Sequence, residues 1–318
     1  MNSNLRIAVI SGGTSAEASV SRVSAKGVTE ALSVNYPHVV NIELDDHLTN
    51  NLQAFRPDLV FPVLHGPPGE DGTLQGFLEI LGYAYVGSDV HSSAVAMDKI
   101  VAKQVFRAAS LPVIDQMTVT INSAITASVE AINAQLGTYV VIKPARQGSA
   151  LGVMRVSNLN EMHDGLENAF KFDPRLLVEK RIDGKEITVG VLDTENGPKA
   201  FPVIEITTAS KDSWYDFEHR YTEGLSEHVM PADLPANQAS RLKELAIAAH
   251  QSLGCRDLSR ADFIVPDDET ELLLEVNTLP GMTPTSLYPD GARGYGLKFP
   301  ELVSFLAERA AARRSHGI

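Results

Sequence analysis

The strongest constraint on the fold lies in the first ninety residues, where apolar β-type runs alternate with helical patterns. That order marks a parallel sheet covered by helices. Residues 5–11 form the first strand and Gly12-Gly13 turn it, after which Val20, Val23, Val28, Ala31 and Leu32 recur at helical spacing. Strands are expected over 39–44 and 58–64, a helix over 72–81, and a short closing strand over 83–86. Residues 89–109 read as one long helix stopped by Leu111-Pro112, with the first domain boundary inside it.

From about 112 to 181 the alternation repeats on a smaller scale. Strands are expected at 138–142, 153–156 and 176–179, a glycine-bounded loop at 148–152, and a helix at 158–170. Residues 186–192 and 199–206 read as long antiparallel strands, followed by a polar loop over 207–225. The helix of 238–253 stops at Gly254, and strands at 259–265 and 271–276 precede a final helix over 298–312. A chain of 318 residues accommodates two or three such units.

Charge narrows the function classes. With 27 Lys plus Arg against 40 Asp plus Glu, the net charge of −13 argues against a broad grip on nucleic acid or anionic lipid. Any polyanion must be held locally. The longest apolar runs fall far short of a membrane span, and the N-terminal residues lack a signal-peptide pattern, so a cytoplasmic protein is expected. The single Cys255 excludes an intrachain disulfide framework and a cysteine-based zinc site, and reads as core. The last ten residues carry three Arg and no acid, and read as a frayed helix end.

The two late strands carry the most chemistry. If 267–270 form the turn, Asp262 lies opposite Glu275, and Arg260 opposite Asn277 on the same face. Facing carboxylates repel. A hard cation with oxygen ligands from Asp262, Glu275 and Asn277 would resolve the conflict; a solvated strand face with a salt bridge from Asp262 to Arg260 is the competing reading. The loop 278–286, Thr-Leu-Pro-Gly-Met-Thr-Pro-Thr-Ser, leads toward a helix N-terminus that could receive a carboxylate. Lys143 and the small-residue loop to Gly152 suit phosphate, or are only a hairpin connection. No Gly-x-x-x-x-Gly-Lys-Ser/Thr loop occurs. Glu17 and His65 follow turns after parallel strands, where ligands collect. Glu17 could instead complete a capping box with Thr14, and His65 could be a strand-end hydrogen-bonding residue.

In order along the chain, GGTSAEASVS, LHGPPGEDGTLQGFLE, AMDK, KPARQGSALGV, VEKRIDGKEITVGVL, WYDFEHRY, LSRADF and LLEVNTLPGMTPTSLYP resemble the D-alanine:D-alanine ligase family of the ATP-grasp superfamily. The resemblance implies an N-terminal parallel α/β domain (1–96) that helps bind the first D-alanine. Two ATP-grasp domains of α+β character (97–181 and 182–318) would follow, the second with the metal site and a lid loop. It implies ATP and two Mg²⁺ as cofactors, with Mn²⁺ as a substitute, and leaves monovalent-cation activation open. It also implies D-alanine as substrate, a homodimer, and no nucleic-acid or membrane partner. By analogy Lys99, Lys143 and Arg220 would meet the nucleotide phosphates, with Gly148 and Ser149 covering them. Glu179, Lys180 and Ile182 would line the adenine slot, and Glu186 would hold the ribose. Asp262, Glu275 and Asn277 would bind the metal ions. Glu17 would hold the first ammonium with His65 nearby, and Ser286 and Leu287 the second carboxylate. Arg260 and the Gly281 amide would stabilise the oxyanion, and Tyr221 on the lid would bond toward Ser149 and Glu17.

The sequence departs from many family members at Gln147 and Ala150, where the phosphate loop usually reads Glu-Gly-Ser-Ser, and at Arg220, where Lys is common. Arg keeps the charge, so activity is expected. A ligase with D-lactate, D-serine or a specialised D-amino acid as second substrate is the nearest alternative, and a catalytically silent nucleotide-binding module the more distant one.

Overall fold

The computed structural model describes residues 4–15, 17–208, 226–266, 270–283 and 286–314. Strands β1 (Arg6–Ser11), β2 (His38–Glu43), β3 (Leu59–Pro62) and β4 (Ala84–Tyr85) form the expected parallel sheet, ordered β2-β1-β3-β4. Alternation splits β1 between two cores. Ile7 and Val9 pack with helix α1 (Ala18–Ser33) and the C-terminal helix Phe299–Arg314, whereas Ala8 and Ile10 pack with α2 (Leu48–Phe55) and α3 (Thr73–Ile80).

The single helix expected over 89–109 is two, α4 (Val90–Met97) and α5 (Lys99–Ala108). Asp98 leaves the helical region at ψ 96°, accepts the Val101 N–H as a cap, and pairs with Arg175. The break makes Lys99 the first residue of α5.

A four-stranded antiparallel sheet, ordered β5-β8-β6-β7, follows from β5 (Gln116–Thr120), β6 (Val140–Pro144), β7 (Met154–Val156) and β8 (Arg175–Lys180). Its core is shared with α6 (Ile125–Leu136) and α7 (Leu159–Ala169).

The third sheet is built on β9 (Lys185–Thr194). Along it run β10 (Gly197–Ala200) and β11 (Ile204–Thr208), where one strand was expected over 199–206; Pro202 offers no N–H and interrupts the ladder. Completing the sheet are β12 (Ser226–Val229), β13 (Leu258–Val265) and β14 (Leu272–Asn277), in the order β12-β11-β9-β13-β14. One face buries Ile187, Val189, Phe263 and Leu273 against α8 (Ala236–Ser252). By alternation the other presents Glu186, Thr188, Arg260 and Asp262.

Helix α9 (Leu287–Tyr295) follows the loop after β14, and α10 (Phe299–Arg314) closes the chain against the first sheet. Up to Arg313 the expected frayed end is instead anchored. Arg313 grips both carboxylate oxygens of the buried Asp257 at 2.6 and 2.8 Å and donates to the Tyr85 carbonyl, while Arg309 lies 3.4 Å from Asp257. No helix among the described residues is long and apolar enough to cross a membrane.

Candidate active site

The site begins with the register of β13 and β14. Arg260 pairs with Asn277 and Asp262 with Glu275, as the alternation required. Beyond Asp262 the register slips at a bulge, so Phe263 meets Leu273, and Leu273 rather than Leu274 enters the core. Arg260 grips Asp262 through two bonds of 2.9 and 2.7 Å, and Thr188 on the neighbouring strand donates to the same carboxylate at 2.6 Å. Lys99 reaches Glu275 at 3.3 Å. The Arg260 salt bridge is therefore present, and it coexists with a donor set of Asp262, Glu275 and Asn277 that offers oxygen from adjacent rungs of one face. Oxygen-only donors fit a hard divalent cation.

Three lysines approach from the middle of the chain. Lys99, at the first turn of α5, donates to the Gln147 carbonyl at 2.7 Å. Its backbone N–H holds the Ala145 carbonyl, which ties the helix start to the loop after β6. Lys143 lies 2.5 Å from Glu179, and Lys103 lies 2.7 Å from the other oxygen of that carboxylate. Burial alone would raise Glu179, but the two ammonium groups outweigh it and hold the carboxyl at about 2. Lys103 also donates to the Leu273 carbonyl at 2.8 Å, joining this buried triad to β14. Sequence reasoning missed Lys103. Its signal was present: it falls on the buried stripe of α5 with Ile100 and Phe106, where a lysine needs a partner.

Glu17 is the N-cap residue of α1 and makes no cap hydrogen bond, so the capping box with Thr14 does not form. Its buried carboxylate accepts from the Ser149 hydroxyl. Ser149 and Ala150 both lie in the left-handed region, at φ 47° and 59°; such residues cost about 1–3 kcal/mol each and cluster at functional loops. His65 is buried beside this pair. Burial lowers its imidazole pKa, Glu17 opposes that shift, and Arg260 adds to it. Glu70, also missed in the sequence, accepts the Gly66 N–H at 2.5 Å. Burial first, then the charge of Glu17, pushes it up to about 8.

The other end is the loop before α9. A Cβ at Gly281 would lie 3.0 Å from the Ser286 hydroxyl, so glycine permits this close approach. Thr283 fixes Ser286 through a 2.6 Å hydroxyl contact, and Leu287 opens the helix. A cavity of about 720 Å³ joins both ends. Its lining brings together Glu17, His65, Lys99, Gly148 and Ser149 with Arg260, Glu275, Asn277, Gly281, Ser286 and Leu287. Lys143, Glu179, Lys180, Ile182, Glu186 and Asp262 are not part of that lining. Arg220 and Tyr221 lie outside the described residues, as does most of the expected lid loop.

The chain is similar to known proteins over nearly its whole length. The family profiles D-ala D-ala ligase N-terminus and D-ala D-ala ligase C-terminus match residues 43–88 and 105–308. A D-alanine–D-alanine ligase of Halalkalibacterium halodurans is 42% identical over 94% of this chain and 97% of its own length. That of Pelotomaculum thermopropionicum is 41% identical over 96% of each. Among solved structures, the Bacillus anthracis D-alanine–D-alanine ligase complexed with ATP superposes with a TM-score of 0.83 at 31% identity, covering 98% of this chain and 99% of that one. The VanG D-Ala:D-Ser ligase of Enterococcus faecalis gives 0.82 at 31%, covering 96% and 99%.

Proposed function

The chain belongs to the D-alanine–D-alanine ligase family of ATP-dependent ligases, and on that premise we propose that it joins two D-alanines through an acyl phosphate, supplying a peptidoglycan precursor. The observation that carries the reading is one cavity lined by Arg260, Glu275 and Asn277 of the β13–β14 hairpin, by Lys99, by Glu17 at one end and by Ser286 at the other. A carboxylate is a poor acyl donor. The first D-alanine therefore attacks the γ-phosphorus of ATP, ADP leaves, and the second amine then attacks the acyl carbonyl and expels phosphate.

Each residue type answers one difficulty of this chemistry. Lys99 and Lys143 offset the charge of the gathered phosphates, assisted by Arg220, while Gly148 and Ser149 cover them and Glu179, Lys180, Ile182 and Glu186 receive the nucleoside. Asp262, Glu275 and Asn277 would hold two Mg²⁺, or Mn²⁺ as a substitute, which supply charge neutralisation at the phosphates. Glu17 takes the donor ammonium with His65 beside it. Ser286 and the Leu287 amide at the start of α9 take the acceptor carboxylate. Arg260 and the Gly281 amide face the oxyanion that forms at the carbonyl. Tyr221 is assigned to a lid that excludes water from the acyl phosphate.

A homodimer and a cytoplasmic location belong to the same proposal, the first checked by sedimentation. The deciding experiment is phosphate release from ATP with D-alanine, L-alanine, D-serine or D-lactate. Release with D-alanine alone is expected. Release with none of them rejects the ligase reading, and release only when D-lactate or D-serine joins D-alanine reassigns the acceptor.

A further inference from the structure

One polar pair in the cavity has no part in the mechanism above. His228, on β12, lies with its Nδ1 2.7 Å from Oδ2 of Asp290 on α9, and both residues line the cavity. Asp290 is buried, and its other oxygen is held by Arg293 one helical turn onward at 2.9 Å. The pair joins the edge strand of the third sheet to the helix whose N-terminus begins at Ser286.

Strand and helix run in step at this seam. Two residues beyond His228, the sulfur of Met230 would lie 2.5 Å from a Cβ built on Gly294, four residues beyond Asp290. Two strand residues advance about 6.7 Å and four helical residues about 6 Å, so the contacts repeat with nearly equal spacing. Ser226, two residues before His228, and Ser286, four before Asp290, both line the cavity. Glycine at 294 leaves room for the Met230 side chain, and the His228–Asp290 bond is a polar tie between this packed end and the cavity.

We propose that the His228–Asp290 pair is a positioning element of the acceptor subsite, fixing the N-terminal turn of α9 and the facing strand at the spacing that binds the acceptor carboxylate. This rests on Ser286 and Leu287 being that subsite. A hydrogen bond to an ionised carboxylate is charge-assisted and stronger than a neutral one. Its loss should weaken acceptor binding about tenfold or more without touching the donor end, where Glu17, His65 and Ser149 are held by other contacts.

Hydroxylamine separates the two ends, because it is an amine without a carboxylate. It attacks the acyl carbonyl, releases phosphate and leaves a hydroxamate, so hydroxamate formation reports ATP and the donor site alone. In H228A, the D-alanine concentration that half-saturates dipeptide formation should rise about tenfold or more, while the D-alanine dependence of hydroxamate formation stays at the wild-type value. H228N, whose amide can donate from the Nδ1 position, should recover most of the loss, and H228A/D290A should be no worse than H228A. A parallel fall in hydroxamate and dipeptide, a loss of kcat with acceptor saturation unchanged, or no rescue by H228N overturns the proposal. Wild-type protein that forms neither product overturns the ligase reading instead.

Discussion

Asp257 and Asp262 stand five residues apart, one just before β13 and one within it, yet their surroundings are opposite in kind. Asp257 is fully buried and accepts three hydrogen bonds, from Arg313 on each oxygen and from the Gly87 N–H on Oδ2, with Arg309 a second cation at 3.4 Å. With no exposed surface, this carboxylate can be met by protein groups alone. Asp262 sits on the face that looks toward the cavity. Arg260 and Thr188 supply Oδ1 and Arg260 alone supplies Oδ2, which leaves acceptor capacity beside Glu275 and Asn277. The first arrangement has nothing left to offer a ligand and welds the last helix to the rest. The second keeps its charge in reserve for chemistry.

The largest effect that tests this contrast is on stability. Asp257→Ala leaves two guanidinium groups facing a buried gap, and breaking a buried ion pair from one side costs about 3–5 kcal/mol. Urea unfolding should show that loss, while the folded fraction keeps its ATP and D-alanine saturation. A loss below about 1 kcal/mol would mean the junction is decorative.

Glu275→Gln should do the reverse. It keeps the shape of a partly exposed side chain and removes the charge shared with Lys99 and the oxygen set. Phosphate release at limiting Mg²⁺ should fall about 10²-fold or more, with stability inside the roughly 0.5 kcal/mol expected of a surface change. Near-normal turnover at limiting Mg²⁺ would remove Glu275 from the metal site.

How much of this was legible follows from the range of the interactions. The pairing of Asp262 with Glu275 matches the register that alternation suggests, but nearer the turn Phe263 meets Leu273, so a bulge is needed to bring the two carboxylates opposite each other. The bulge beside it does not show, because an extra leucine in Leu272-Leu273-Leu274 leaves the apolar pattern intact. The break at Asp98 is hidden for the opposite reason: the helical pattern continues through it, and its partner Arg175 arrives from β8. Arg309 and Arg313 read as a frayed end because the acid they grip is distant in sequence: Asp257 stands just before β13, while the adjacent Glu308 is bonded to Tyr36. The same holds for Glu179, placed by motif at the nucleotide but buried by lysines from α5 and β6. Sequence motifs locate the chemistry, and tertiary pairing decides which charges are free to perform it.

Glu70 sharpens the comparison in a third way, because its environment favours the uncharged form. In the fold its carboxyl is pushed up to about 8, by burial and then by Glu17, while in the unfolded chain it returns to the ordinary carboxylate range. Between those limits the native state keeps a proton that the unfolded state has released, so stability falls as pH rises across that window and levels off above it. The slope is at most about 1.4 kcal/mol per pH unit for one proton. Glu70→Gln keeps a neutral hydrogen-bonding side chain at every pH and should flatten this decline. Urea midpoints measured from about pH 5 to about pH 9 check it: wild type should lose stability relative to the variant as pH rises. Parallel curves would mean that Glu70 is ionised in the fold. On the proposed assignment of Glu17 to the donor ammonium, a neutral Glu70 suits a subsite that must hold one ammonium and also admit the carboxylate it carries.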